Sequence, residues 1–197
     1  MREGLRLLLE REGYRVLGEA GDGREACRMA AELHPDVALL DVSMPVLNGI
    51  EAARTLRESC PHVQTIALTV HDDDAHVLAA LEAGFRGYVL KAQAGKQLVA
   101  AIEQVRTGEV YLGPAPSRVL VDAYREGRRA PVDPLTPRER EVLQLVAEGR
   151  STREIAEVIG TSVKTVESHR TRIQRKLRIR DNAGLARYAI RRGLIEP

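Results

Sequence analysis

The sequence predicts an α/β module built on a doubly wound parallel sheet, followed by an all-α module of four short helices. In the first half, apolar runs four to seven residues long alternate with amphipathic stretches of helical period. After residue 134 the strand-like runs stop, and helix caps recur at short intervals. The charge divides too. Residues 1–115 sum to −5 and residues 116–197 to +7, although the whole chain of 197 residues carries only +2.

Taken in order, residues 2–12 read as an amphipathic helix with Leu5, Leu8 and Leu9 on one side. YRVLGEA (14–20) reads as a strand and 23–33 as a helix. An apolar strand at 37–40 runs into Asp41, a loop follows, and a helix covers about 49–58. VQTIALT (63–69) is a strand, 73–83 a helix, GYVL (87–90) a strand and 95–107 a helix. Strands alternating with helices at this rhythm call for a parallel sheet. Pro114, Pro116, Pro131 and Pro134 mark residues 109–133 as a linker with a short helix at 117–126.

The C-terminal stretch repeats one local grammar. In LTPREREVLQLVAEG, Thr136 is the N-cap, Pro137 takes the first helical position, Glu139 closes a capping box and Gly149 ends the helix. In STREIAEVIG, Ser151 caps, Glu154 answers and Gly160 stops. A third helix starts at Thr161 or Ser162 and runs to Leu177, and a fourth spans 182–191. Short helices joined by tight glycine turns describe a helix-turn-helix.

Composition narrows the function. One Phe, five Tyr and no Trp leave little for stacking on single-stranded nucleic acid. Cys27 and Cys60 form no metal spacing and suit a reducing cytosol. The first helix is interrupted by Arg6 and Glu10, so it reads neither as a signal peptide nor as a membrane span, and a cytoplasmic protein is expected. Neither a glycine-rich phosphate loop nor a nucleophile–base pair is visible, so the chain is expected not to be an enzyme.

Asp41, Thr69 and Lys91 each fall just past the end of a predicted strand, where doubly wound sheets bind their ligands. A carboxylate accepts a phosphoryl group as an acyl phosphate, a hydroxyl bonds the new oxygens, and an ammonium neutralises them. LLDVSMPVLNGIEAARTLR, IALTVHDDD and GYVLKA resemble the receiver domains of two-component response regulators, a flavodoxin-like fold, over about residues 2–108. The resemblance implies phosphorylation of Asp41 by a sensor histidine kinase, with Thr69, Tyr88 and Lys91 as the conformational switch. It also implies Mg²⁺, for which this chain shows only Asp41 and the backbone carbonyl of Ser43. The first receiver strand, with its acidic pair, has no counterpart here, and the metal site is incomplete. Met1-Arg2-Glu3-Gly4-Leu5 stands where the family commonly reads Val-Arg-Glu-Gly-Leu. The chain is therefore expected to be a truncated receiver whose initiator is a valine codon, and Asp41 a poor phosphoacceptor as written.

Within Lys164–Arg192 there are 10 Lys/Arg against 2 acids. Stepped at 100°, Val166, Ile173 and Leu177 share one face, flanked by His169 and Arg170. Lys164, Ser168, Thr171 and Arg175 lie opposite, with Glu167 and Arg172 at the edges. Such a helix suits a major groove, with Thr171, Ser168, Glu167 and Arg172 near base edges and Lys164, Arg175 and Lys176 on phosphates. Thr165 joins these as a candidate contact, and His169 reads as a packing residue. LTPREREVLQLVAEGRSTREIAEVIGTSVKTVESHRTRIQRKL resembles the LuxR-type helix-turn-helix over about 134–195, within a domain expected over 134–197. Both halves together resemble NarL/FixJ-type regulators, which implies a homodimeric transcription factor on double-stranded promoter DNA, the fourth helix being a dimer contact. The alternative is a DNA-binding regulator that works without phosphorylation.

Overall fold

The computed structural model describes residues 1–127 and 133–195. Its N-terminal module is a parallel sheet in the order β1 (Val37–Asp41), β2 (Gln64–Thr69), β3 (Gly87–Leu90) and β4 (Tyr111–Leu112). The strands are linked by α1 (Arg2–Arg11), α2 (Gly23–Leu33), α3 (Gly49–Ser59), α4 (Asp74–Ala83), α5 (Ala94–Arg106) and α6 (Pro114–Glu126). The period-two pattern of β2 sorts its side chains to two cores. Ile66 and Leu68 pack with Leu98, Ile102 and Val105 of α5 and with Leu5, Leu8 and Leu9 of α1. Ala67 lies on the opposite face with Leu56 of α3 and Val77 of α4. Asp22, Asn48 and Asp73 cap α2, α3 and α4 by accepting a backbone N–H with their side chains.

Two expectations are corrected in this module. Residues 14–20 form no strand and pair with nothing in the sheet. A strand needs a partner ladder, and on this side of β1 there is a cleft of about 620 Å³ instead. It is lined by Tyr14 and Val16 on one bank, Val37 and Leu39 on the other, with Met29 of α2 and Leu9 of α1 among the closing residues. Among the described residues β1 is thus the edge of the sheet, with no strand paired to its outer row of backbone groups. The second correction concerns the span 109–133 read as a linker. Its first part adds β4 to the sheet, and a helix begins at Pro114, where a proline in the first turn forfeits no helical hydrogen bond. Residues 128–132 of that span lie outside the described residues, as do 196–197.

The C-terminal module consists of α7 (Pro137–Ala147), α8 (Thr152–Ile159), α9 (Val163–Leu177) and α10 (Asn182–Arg191). Both expected capping boxes form, Thr136 with Glu139 and Ser151 with Glu154. Ser162, not Thr161, caps α9. Val142, Leu143, Leu145, Ile155, Val166, Ile173 and Leu185 make its core. Arg170 joins the helices from outside the core, donating to Thr152 Oγ1 at 3.2 Å and Asn182 Oδ1 at 3.0 Å.

Candidate functional site

Asp41 is the last residue of β1 and Thr69 the last of β2, while Lys91 opens a 3₁₀ turn just past β3. Because the three strands are parallel and in register, their C-terminal ends meet on one rim. There Lys91 Nζ donates to Asp41 Oδ2 at 2.5 Å, and Ser43 N–H donates to Asp41 Oδ1 at 3.2 Å. Both charged side chains are partly open to solvent.

Thr69 and Tyr88 grip the next loop instead of Asp41. Thr69 Oγ1 accepts the His71 N–H at 3.1 Å, and Tyr88 donates its hydroxyl to the His71 carbonyl at 2.8 Å. Tyr88 is turned inward and fully buried. Burial, then the charges of Asp73 and Asp72, push its phenol well above the ordinary range. Ser43 Oγ and His71 Nε2 lie 3.1 Å apart, so the loops after β1 and β2 are tied together.

The loop after β1 is also held by the C-terminal module, which the sequence did not announce. Gln144 Oε1 accepts from Asn48 N (2.9 Å) and Nδ2 (3.1 Å), while its Nε2 donates to the Met44 carbonyl at 2.7 Å. Glu148 Oε1 accepts the Val46 N–H at 2.9 Å. Val46 has φ 67°, a left-handed conformation that a β-branched residue adopts only under constraint, and it packs against the C-terminal core. Beside it, Arg140 Nε and Nη2 fork onto Glu51 Oε1 and Oε2 at 2.7 and 3.1 Å, with both residues buried. Arg24 pairs with Glu141 at the rim of this joint. The available signal was Arg140, Gln144 and Glu148 at helical spacing on one face of α7.

On α9 the predicted outer face is exposed: Lys164, Thr165, Glu167, Ser168, Thr171, Arg172, Arg175 and Lys176 all reach solvent while Val166 and Ile173 are buried. The joint, made by α7, leaves that face uncovered. Two candidates are already engaged. Lys176 Nζ donates to Glu139 Oε2 at 2.6 Å, and Thr165 Oγ1 shares a 2.8 Å hydrogen bond with Ser162 Oγ. His169 is half-buried, in keeping with a packing residue.

A sheet carrying an acid–lysine pair on its rim, followed by a helix-turn-helix with a free basic face, defines a signal-receiving DNA-binding protein. Residues 1–103 match the response regulator receiver domain family, and residues 133–189 match the luxR family of bacterial regulatory proteins. The chain is 36% identical over 195 residues to the transcriptional regulatory protein MctR of Rhizobium johnstonii, covering 98% of this chain and 89% of that one. It is 34% identical to the oxygen regulatory protein NreC of Staphylococcus carnosus, covering 100% and 94%. Among solved structures, RcsB of Salmonella typhimurium superposes with a TM-score of 0.56 at 30% identity, over 94% of this chain and 90% of that one. A two-component response regulator RcsB–DNA complex gives the same figures. The chain belongs to the NarL/FixJ-type response regulators and is a DNA-binding transcriptional regulator of the two-component class. Among the described residues no helix is long and apolar enough to cross a membrane.

Proposed function

We propose that this regulator binds double-stranded promoter DNA in the cytoplasm as a homodimer, reading bases with the outer face of α9. The observation that carries the reading is that face: cationic and short polar side chains at groove-facing positions, backed by a buried apolar stripe. Thr171, Glu167, Ser168 and Arg172 are assigned to base edges, Lys164 and Arg175 to phosphates. α10 supports the dimer assignment, since Ala183, Arg187 and Arg191 are exposed.

Asp41 is assigned as the phosphoacceptor for a sensor histidine kinase, with Thr69, Tyr88 and Lys91 as the switch. A phosphoryl group on Asp41 would draw on the Lys91 ammonium and alter the loop that Gln144 and Glu148 hold. That gives a direct path from the acid to the DNA-binding module. Receiver domains generally bind Mg²⁺. Here Asp41 brings one carboxylate, with one oxygen on Lys91 and the other on the Ser43 N–H. A single carboxylate engaged at both oxygens does not fit an ion that prefers octahedral oxygen ligands. The same feature favours a second reading, in which the chain binds DNA without phosphorylation.

Duplex binding across a salt series tests the assignments. Thr171→Ala and Glu167→Ala should each cost about 1–3 kcal/mol on the preferred site and little on random DNA. Lys164→Ala should weaken both duplexes alike and lower the salt slope by about one. Equal losses on both duplexes for all three variants would falsify the reading face. A small phosphodonor added to the full chain and to Asp41→Asn separates the two readings: only the first expects the donor to change binding, and only with Asp41 present.

A further inference from the structure

We infer that His71, Asp73 and His76 form a binding site for a divalent transition-metal ion of the zinc class. One donor atom of each residue lies within 4.8 Å of the donors of the other two. All three come from the loop after β2 and the first turn of α4, outside the Asp41 pair. The Asp73–His76 contact alone has an ordinary explanation, because Asp73 caps α4. That cap uses Oδ1, which accepts the His76 N–H at 3.3 Å. It does not account for Oδ2, which meets His76 Nδ1 at 2.6 Å, nor for the His76 ring stacked on His71 at 4.2 Å and 6°.

Several features prepare the three side chains as ligands. Ser43 Oγ, 3.1 Å from His71 Nε2, orients that ring as an outer partner orients a ligating imidazole. His76 Nε2 is buried with no hydrogen-bond partner, so that ring's polar contact is on its Nδ1 side, at Asp73. Asp72 and Asp74 flank the site and make its field attractive to a cation. Two imidazoles and one carboxylate select Zn²⁺, Ni²⁺ or Cu²⁺ over Mg²⁺. Three protein ligands leave positions for water, the pattern of an exchangeable site. Binding would replace the proton between Asp73 and His76 by the ion, and the stacked rings would tilt so that both lone pairs converge.

Such an ion would fasten the loop that Thr69 and Tyr88 grip to the start of α4. It would also be felt in the C-terminal module. Gly193 is packed so closely on His76 that a Cβ there would collide with Nε2. The site stands on its own residues and does not depend on Asp41 being phosphorylated.

The test is a calorimetric Zn²⁺ titration of the full, untagged chain, with Co²⁺ absorption as the second readout. One ion per chain is expected, without the thiolate band that coordination by Cys27 or Cys60 would give. His71→Gln and His76→Gln should each weaken binding by more than the roughly 10–100-fold that losing an outer partner costs. His34→Gln, in the other close histidine pair, should leave it unchanged. Binding that survives His76→Gln, or that follows His34 or a cysteine, overturns the site. Should His76→Gln fail to fold, imidazole nitrogen shifts of the unaltered chain on Zn²⁺ addition decide. Shifts at His71 and His76 support the site; shifts confined to His34 and His62 overturn it.

Discussion

The sequence pattern makes Lys176 a candidate phosphate contact, and the fold gives it a second role. Its partner Glu139 is buried and also accepts the Thr136 N–H, closing the α7 capping box. Burial works against the charge on Glu139, but bonds from Lys176 and from the backbone and side chain of Thr136 outweigh it. They hold the carboxyl below its usual 4.5. A carboxyl depressed in the folded state contributes stability that is complete above pH 4.5 and is lost as pH falls through the lower folded value. Glu139→Gln should therefore lower stability at neutral pH and change it little at the acid end, flattening the acid limb of unfolding below pH 4.5 as read by circular dichroism. Lys176→Ala should cost about 1–3 kcal/mol of stability at neutral pH, because it strips a buried acceptor of a partner that water only partly replaces. A variant that loses DNA affinity at unchanged thermal stability would mean the lysine serves DNA alone.

At the scale of elements, what was legible in the sequence was local, and what was hidden was tertiary. The capping boxes at Thr136 and Ser151 and the stop at Gly160 are written within four residues of each helix end, and all form. β4 is not legible in the sequence because two residues, Tyr111 and Leu112, are too few to show a period. YRVLGEA has the composition of a strand, but a strand exists only against a neighbour, and β1 offers it none within reach. The rim of Asp41 and Lys91 could be read because parallel strands bring their ends together. The joint could not, since Arg140 looks like any exposed helix arginine until Glu51 is placed opposite. That fork is the element-level feature most open to attack. Arg140→Ala leaves Glu51 buried in the closed arrangement with Arg54 as its remaining cation, at a cost of about 3–5 kcal/mol to the closed state. The modules should separate, and small-angle scattering should report a larger radius of gyration with each module still folded. An unchanged scattering curve would mean that Gln144 and the Val46 contact suffice without the fork.

At the scale of the whole molecule, each module has its own core, and the joint between them is mostly polar: two ion pairs, an amide, a carboxylate and a few backbone groups, with Val46 as an apolar contact. Interfaces of that kind permit independent folding. We therefore expect a fragment from about Pro131 onward to fold alone and bind duplex DNA, and a random-coil dichroism spectrum would refute this. The free edge of β1 has a different consequence, one that belongs to the solution and not to the single chain. Val37-Ala38-Leu39-Leu40 is apolar, and its outer row of N–H and C=O groups faces the cleft unpaired. An edge of that sort is a template for another copy's strand. Stored concentrated, the protein should slowly assemble through this edge into β-rich oligomers that bind thioflavin. A lysine at Leu39, whose side chain lines the cleft, should slow that assembly while leaving the DNA-binding module folded. The colloidal lifetime of this regulator would then be set by the four apolar residues of that edge and not by the helix assigned to DNA.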